Sequence, residues 1–193
     1  MYAINYKTLI AQALGFEPTA DQRHAIDIFA EFLADRDDHA TMLLRGSAGT
    51  GKTTLSGAIV RTMLALKQRV VLLAPTGRAA KVFALNSGVP ASTIHRRIYR
   101  QQSLGGSFSL APNMMTDTLF LVDESSMIAN EGLRESVFGT GCLLDDLVQF
   151  VYSGRNCRLV LIGDKAQLPP VGEEESPALS SAFISGYGLT VYE

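Results

Sequence analysis

The stretch Gly46-Ser47-Ala48-Gly49-Thr50-Gly51-Lys52-Thr53 decides the fold of this chain. It follows a short apolar run, residues 41–45, that is typical of a strand. It precedes residues 54–66, in which apolar side chains recur at helical spacing. Strand, glycine-rich loop and helix in this order are the context that a phosphate-binding loop requires. A chance glycine-rich turn would explain neither the complete G-x-x-x-x-G-K-T match nor its flanks.

The residue types of this loop predict its chemistry. Its glycines let the backbone curl, so that successive N–H groups point at an anion, and the following helix adds a positive partial charge. Lys52 can reach the β- and γ-phosphates of a nucleotide, and the Thr53 hydroxyl can bind Mg²⁺. The loop therefore predicts a nucleoside triphosphate with Mg²⁺, and the family resemblance described below implies that this nucleotide is ATP. The expected nucleotide contacts are Gly46, Ser47, Ala48, Gly49, Thr50, Gly51, Lys52, Thr53 and Thr54.

Length and composition indicate one sizeable α/β core. The chain has 193 residues, of which 47% are hydrophobic and 19% are charged. The net charge of −2 provides no overall basic surface for nucleic acid. This argues mildly against a dedicated DNA-binding module, but it is compatible with a local groove for a single strand.

Cysteine usage and hydropathy bear on the compartment. Cys142 and Cys157 lack metal-ligand spacing, which favours two reduced thiols. No apolar run reaches the length of a membrane span, and the N-terminus lacks the pattern of a signal peptide. We expect a cytoplasmic protein with no membrane partner.

The chain is expected to divide at residue 15. Residues 1–15 predict a short amphipathic helical extension without chemistry, and residues 16–193 predict the main domain. At its start, Thr19 and Gln22 have the spacing of a helix capping box. Gln22 is either only the capping partner or also a contact to the adenine edge of a nucleotide, and the local sequence favours the first interpretation.

Three further segments carry polar residues after the P-loop helix. Residues 69–74 predict a buried strand that runs into Pro75-Thr76-Gly77-Arg78, a position where open α/β sheets bind ligands. Residues 92–100 are locally basic, which by itself is more often a solvated helix face. Residues 101–117 predict either a small hairpin turned at Gly105-Gly106 or an irregular loop, with equal weight.

Two more apolar runs end in candidate catalytic residues. Residues 118–122 lead into Asp123 and Glu124. After a complete P-loop, such an Asp is expected beside Mg²⁺, and the adjacent Glu can deprotonate an attacking water. Residues 158–163 lead to Gln167, which either contacts the γ-phosphate or belongs to a proline-stiffened turn.

Taken together, the motifs are specific to one family. In order they are Gly-Ser-Ala-Gly-Thr-Gly-Lys-Thr (46–53), Ala-Pro-Thr-Gly-Arg-Ala-Ala (74–80), Thr-Ile-His-Arg (93–96), Val-Asp-Glu-Ser-Ser-Met (122–127) and Gly-Asp-Lys-Ala-Gln-Leu-Pro-Pro-Val (163–171). Over residues 16–193 the chain resembles domain 1A, the first RecA-like motor domain, of a superfamily 1B DNA helicase. The type is that of Dda and of RecD, the alpha subunit of exodeoxyribonuclease V.

The resemblance implies a fold and a set of roles. The fold would be a three-layer α/β P-loop NTPase with a mostly parallel central sheet of about five strands. Gln22 would read adenine, Lys52, Glu124 and Gln167 would be catalytic, and Thr53 and Asp123 would hold Mg²⁺. Single-stranded DNA would contact Pro75, Thr76, Gly77, Arg78 and His95. Residues 101–117 match the position of a small 1B-type insertion that can split strands.

The resemblance also implies what lies outside these motifs. No second RecA-like domain is present in the 193 residues, so we expect the chain alone to bind ATP weakly, hydrolyse it slowly and fail to translocate. Movement 5′ to 3′ is carried over from RecD-type relatives, and the pathway (repair, recombination, replication or conjugation) stays open. The alternatives are a P-loop kinase or ATP-binding regulatory module without a DNA role, and a non-catalytic interaction platform.

Overall fold

The computed structural model describes residues 5–37, 39–101, 106–130 and 137–193. The helices are α1 (Tyr6–Leu14), α2 (Ala20–Ala34), α3 (Lys52–Ala65), α4 (Gly77–Ser87), α5 (Ile94–Ile98), α6 (Leu143–Tyr152) and α7 (Ser181–Ser185). The strands are β1 (Ala40–Arg45), β2 (Arg69–Ala74), β3 (Ala91–Thr93), β4 (Tyr99–Gln101), β5 (Phe108–Leu110), β6 (Thr118–Val122), β7 (Arg158–Gly163) and β8 (Thr190–Tyr192).

A six-stranded sheet with the order β3-β2-β6-β7-β1-β8 forms the centre of the molecule. Every neighbouring pair in it is parallel, which confirms the expected α/β fold. The sheet has one strand more than the sequence predicts. The additional strand is β3, whose three residues Ala-Ser-Thr are too few and too polar to announce a strand, and which pairs with β2 at the sheet edge.

Two hydrophobic cores lie on opposite faces of this sheet, because successive strand side chains alternate in direction. Leu72 and Leu121 face the core that contains α1 to α4, whereas Leu73 and Phe120 face the core that contains α5 to α7. Helix, sheet and helix therefore form the three expected layers. None of the helices in the described ranges combines the length and the apolar character needed to cross a membrane.

Helix α1 is packed into the first core. Ile10 and Leu14 on α1 are buried there, and the Arg61 guanidinium of α3 donates to the Ala13 carbonyl over 2.9 Å. The predicted N-terminal extension thus shares its hydrophobic core with the rest of the chain. Helix α2 begins with the predicted capping box, in which Thr19 and Gln22 exchange side-chain-to-backbone hydrogen bonds.

Strands β4 and β5 pair antiparallel and form a separate two-stranded sheet. This pairing agrees with the hairpin interpretation of residues 101–117, but its first strand begins earlier, at Tyr99, and only Gln101 of β4 belongs to the predicted segment. Residues 102–105, including the predicted turn residue Gly105, lie outside the described residues. A strand-separating role for this hairpin stays a prediction.

Candidate functional site

The phosphate-binding loop connects the carboxyl end of β1 to the first residue of α3. Gly49 and Gly51 have φ values of +81° and +86°, a region in which a side chain would be strained. The Gly46 N–H donates to the Gly163 carbonyl of β7 over 3.2 Å, and the Thr50 hydroxyl donates to the Ser47 carbonyl over 2.8 Å. These bonds hold the loop at the edge of the sheet.

Lys52 is the first residue of α3, and its side chain folds back onto the phosphate-binding loop. Its ammonium group donates to the Gly46 carbonyl and, over 2.9 Å, to the Ser47 carbonyl. The side chains of Thr53 and Thr54, in the same first turn of α3, are exposed, while Leu55 and Ser56 are buried beneath them. The turn therefore presents an ammonium, two hydroxyls and the positive end of a helix to the same space.

The two predicted carboxylates follow the buried strand β6. The Glu124 N–H donates to Asp123 Oδ1 over 2.9 Å, and the Asp123 N–H donates to the Leu73 carbonyl of β2 over 3.0 Å. Burial, and then the negative charge of Glu124, raise the pKa of Asp123, while the Glu124 N–H and Lys52 oppose this shift. Glu124 adopts a left-handed backbone (φ +54°), which is uncommon for a residue with a side chain.

Gln167 lies in the loop after β7. Asp164 shapes this loop by accepting the Ala166 N–H on its carboxylate over 2.8 Å and the Gln167 N–H on its carbonyl over 3.2 Å. The Gln167 side-chain carbonyl accepts a 2.8 Å hydrogen bond from the hydroxyl of Ser126, two residues after Glu124. Ser126 and Asp164 belong to motifs that the sequence analysis quotes, but no role was assigned to either, because the contacts that define their roles join distant parts of the chain or depend on the fold of a loop.

A cavity of about 400 Å³ brings these three segments together. Strands β6, β7 and β1 are neighbours in the sheet, so the loops at their carboxyl ends meet at one edge. The cavity is lined by Ala48, Gly49, Gly51, Lys52, Thr53, Thr54, Asp123, Glu124, Gly163, Asp164 and Gln167. The predicted catalytic residues and the predicted metal ligands are all among them.

Oxygen donors of this cavity suit a hard divalent cation. The Thr53 hydroxyl and the Asp123 carboxylate are the kind of ligands that Mg²⁺ takes. Among the described residues, no group of three or more His, Cys, Asp and Glu side chains could hold a metal ion. Two protein ligands suffice for Mg²⁺ when nucleotide phosphates and water complete its coordination.

A second cavity of about 150 Å³ lies beside the first and contains Gln22. Gly51 and Lys52 line both cavities. The Gln22 side-chain oxygen accepts the Thr19 N–H over 3.1 Å, so its capping role is confirmed. Its amide nitrogen lies against Gly51. Capping and adenine contact are therefore compatible in one conformation, although the contact to adenine stays a prediction.

The predicted DNA-binding residues follow the carboxyl ends of β2 and β3. Thr76 caps α4 by accepting the Ala79 N–H over 3.2 Å, and Thr76, Gly77 and Arg78 are exposed. Because Ala74 pairs with Thr93, the segment that starts at Pro75 lies alongside the segment that contains His95. These residues are not among those that line the cavity of about 400 Å³, and their contact with DNA stays a prediction.

His95 differs from the other predicted DNA contacts in its surroundings. Its ring packs against the rings of Tyr99 and Phe138, with centroids 5.6 and 5.1 Å away, and burial lowers its pKa. The Tyr99 hydroxyl donates over 2.5 Å to the buried carboxylate of Asp146, which also accepts the Thr140 N–H and hydroxyl. His95 is thus a half-buried residue held by an aromatic cluster.

Comparison with known proteins agrees with this geometry. A family model described as "AAA domain" matches residues 18–182, which is most of the chain. The chain belongs to the AAA domain family. Within it, this AAA domain is a RecA-like domain of the superfamily 1 helicase type represented by Dda and RecD.

The AAA domain is similar to two curated helicases and to one solved helicase structure. It is 27% identical over 173 residues to the ATP-dependent DNA helicase dda of Enterobacteria phage T4, covering 86% of this chain and 36% of the phage protein. It is 35% identical over 134 residues to the ATP-dependent RecD2 DNA helicase of Deinococcus radiodurans, covering 69% of this chain and 16% of that protein.

The solved structure is the Pif1 helicase from Candida albicans, which shares the fold. It matches with a TM-score of 0.52 and 21% identity over 91% of this chain and 38% of the Pif1 chain. The AAA domain thus spans between 16% and 38% of the length of these three proteins.

Proposed function

We propose that this domain is the ATP-binding part of a DNA helicase motor, in which ATP hydrolysis drives movement along single-stranded DNA. The observation that carries the proposal is that the phosphate-binding loop, Asp123, Glu124 and Gln167 line one and the same cavity. The names of the helicases to which the chain is similar support the same activity.

In this proposal the first turn of α3 binds the phosphates. The loop N–H groups and Lys52 contact the β- and γ-phosphates, and Thr53 and Asp123 hold Mg²⁺, which neutralises phosphate charge when bound. Gln22 contacts the adenine from the neighbouring cavity. The bonds from Lys52 to the Gly46 and Ser47 carbonyls are exchanged for bonds to phosphate oxygens, because charged acceptors make stronger hydrogen bonds.

Glu124 is proposed as the general base. It orients a water molecule and takes its proton as that water attacks the γ-phosphorus, while the bond from the γ-phosphorus to the bridging oxygen breaks, so that ADP and inorganic phosphate are released. The bond from its own N–H to Asp123 and its left-handed backbone fix the direction in which its side chain leaves the strand. Gln167, which lines the same cavity, senses the γ-phosphate.

Single-stranded DNA is proposed to cross the surface formed by Pro75–Arg78 and His95. Exposed hydroxyl, backbone and guanidinium groups contact phosphates there, and His95 adds a ring for base stacking. This mode of binding needs few basic residues, which agrees with the net charge of −2. Movement 5′ to 3′ and a role in DNA repair or recombination belong to the proposal only through similarity to RecD-type proteins.

A second RecA-like domain is proposed as the partner that completes the site. Support comes from the share of the helicase relatives that the chain spans, 36% of the phage protein and 16% of the Deinococcus protein. An arginine supplied by such a partner can accelerate phosphoryl transfer about 10³- to 10⁵-fold. We therefore expect the 193-residue chain to bind ATP but to turn it over slowly. A cytoplasmic location is proposed from its two free cysteines.

The test combines nucleotide binding with turnover. Binding of a fluorescent ATP analogue with Mg²⁺ is measured on the 193-residue chain and on Lys52→Ala. ATP turnover is then measured, with and without single-stranded DNA, on the chain alone and on the chain joined to a second RecA-like domain. We expect Lys52→Ala to lose binding while keeping its thermal unfolding transition, and only the joined protein to show DNA-stimulated turnover.

Two outcomes would contradict the proposal. Turnover by the chain alone that ignores DNA would mean that the phosphate-binding loop serves another reaction, as in a kinase or a regulatory module. DNA-stimulated turnover that persists in Glu124→Gln would remove Glu124 as the base.

A further inference from the structure

The loop that contains Gln167 and the segment after Glu124 are joined at two points. The Ser126 hydroxyl donates to Gln167 Oε1 over 2.8 Å, and the Asn130 N–H donates to Glu173 Oε1 over 2.6 Å. Ser126 is fully buried, whereas Gln167 is exposed. A fixed hydroxyl therefore anchors an amide that would otherwise sample many rotamers in water.

The position of Ser126 is itself tightly determined. Its N–H nitrogen lies 3.2 Å from where a Cβ on Gly163 would stand, and Leu179 Cδ1 lies 2.7 Å from the same point, so the end of β7 packs tightly against the Ser126 backbone. Ser125, the preceding residue, is also buried, and its hydroxyl donates to the Val122 carbonyl over 2.9 Å. In the 3₁₀ turn Ser125–Met127 the Met127 N–H also donates to the Glu124 carbonyl over 3.1 Å, so the backbone that carries the Ser126 hydroxyl is held on both sides of it.

The direction of the Ser126 bond decides which end of the amide is available. When Gln167 Oε1 accepts from Ser126, its two Nε2 protons are left to face a ligand. Phosphate oxygens are acceptors only, so an amide nitrogen attracts them and an amide oxygen repels them. A serine that fixes the oxygen therefore presets the amide for a terminal phosphate.

We propose that Ser126 is a positioning residue: it holds Gln167 with its amide nitrogen toward the γ-phosphate and so makes the site distinguish a nucleoside triphosphate from a diphosphate. The inference rests on the proposed function, because it assigns a preference to the same nucleotide site. It adds a residue that does not line the cavity and that acts only through Gln167.

The test is the ratio of two dissociation constants, for Mg²⁺–ADP and for a non-hydrolysable Mg²⁺–ATP analogue, measured on the full chain. Ser126→Ala is expected to lower this ratio by about three- to tenfold, the effect of one hydrogen bond, and to leave ADP affinity within about twofold. Gln167→Ala is expected to lower the ratio at least as much as Ser126→Ala does. The double variant is expected to match Gln167→Ala alone, because residues that act as a unit are not additive.

Two variants separate positioning from a structural effect. Ser125→Ala removes a neighbouring buried hydroxyl that does not contact Gln167, so it should lower thermal stability as Ser126→Ala does and leave the ratio unchanged. Gln167→Glu, at an exposed position, keeps an acceptor for Ser126 but loses the amide protons, and it should lower the ratio without affecting folding.

The inference is overturned if Ser126→Ala leaves the ratio unchanged, if its effect adds to that of Gln167→Ala, or if Gln167 variants have no effect. Failure of the proposed function has a different signature. In that case the unaltered chain binds neither nucleotide, or Lys52→Ala binds both as well as the unaltered chain does.

Discussion

The amide of Gln22 lies so close behind Gly51 that a Cβ built on Gly51 would stand 2.5 Å from Gln22 Nε2. Two parts of the chain that are far apart in sequence, the start of α2 and the phosphate-binding loop, are in this way fitted to each other. Gln22 is only 7% exposed, and its oxygen is engaged in the capping box, so it cannot move aside without breaking that cap.

Alanine at Gly51 is expected to cost more stability than alanine at Gly49. Both glycines are left-handed, which costs a non-glycine residue about 1–2 kcal/mol, but nothing lies within 4 Å of a Cβ on Gly49. Gly51→Ala should therefore exceed Gly49→Ala by about 1 kcal/mol, the value of a helix cap. Urea denaturation measures both, and equal costs would contradict the close fit with Gln22.

Asp123→Asn is expected to stabilise the domain at pH 7. The pKa of Asp123 is raised, mainly by burial, above its ordinary value of 3.8, so the ionised carboxylate costs the folded state free energy above the folded pKa. As pH falls through the folded pKa toward 3.8, the folded state takes up the proton first and this cost disappears. The advantage of asparagine should therefore shrink between neutral and acidic pH, as measured by urea denaturation.

The exposed carboxylate Glu174 supplies the control for this pH dependence. Glu174→Gln should change the free energy of unfolding little at either pH, because its side chain lies in water. An Asp123→Asn variant that is less stable than the unaltered chain at pH 7 would show that the carboxylate contributes favourable contacts that outweigh its burial.

Tyr99→Phe is expected to destabilise the domain by about 1–3 kcal/mol, since it removes a hydrogen bond to a buried carboxylate. Asp146 is 1% exposed, and among the described residues its carboxylate would keep the two bonds from Thr140. Tyr192→Phe is the matched control, because its hydroxyl donates over 2.7 Å to Asp35, a carboxylate in contact with solvent. Chemical denaturation should show a smaller loss for Tyr192→Phe, and the reverse order would contradict the buried network.

Arg78→Ala is expected to weaken binding of an oligothymidylate and to reduce the salt dependence of its affinity. Loss of one phosphate contact to a single strand lowers the slope of log K against log salt by about 0.7. Arg36→Ala removes an equally exposed arginine before β1, at the opposite edge of the sheet, and should change neither quantity. Fluorescence anisotropy across a salt series measures the affinity of both variants for the oligothymidylate. Identical effects of Arg78→Ala and Arg36→Ala would contradict a specific phosphate contact at Arg78.

Sequence alone predicted the parts of the site that local patterns encode. The glycine loop, the apolar runs that become β6 and β7, and the carboxylates after β6 all depend on residues that are adjacent in the chain. The capping box of Thr19 and Gln22 could also be predicted from the sequence, since both residues lie within one helical turn.

Long-range pairing could not be predicted in this way. The bond from Ser126 to Gln167 joins residues 41 positions apart, and the bond from Tyr99 to Asp146 joins residues 47 positions apart. Strand β3 pairs with the edge of β2, and Ile10 and Leu14 are buried in a core that contains residues of α2 and α3. Each of these depends on tertiary packing, which overrides weak local propensity.

Strand β1 carries the phosphate-binding loop but pairs with β7 and β8, and its Thr41 hydroxyl reaches a carbonyl 118 positions further along. During synthesis the loop therefore leaves the ribosome long before the strands that flank it. A nucleotide has no complete phosphate cradle to bind until β7 has emerged. We therefore expect a nascent chain to bind nucleotide only after residue 163 has emerged and β7 has paired with β1. Binding of nucleotide would then stabilise the late steps of folding and not the earlier ones.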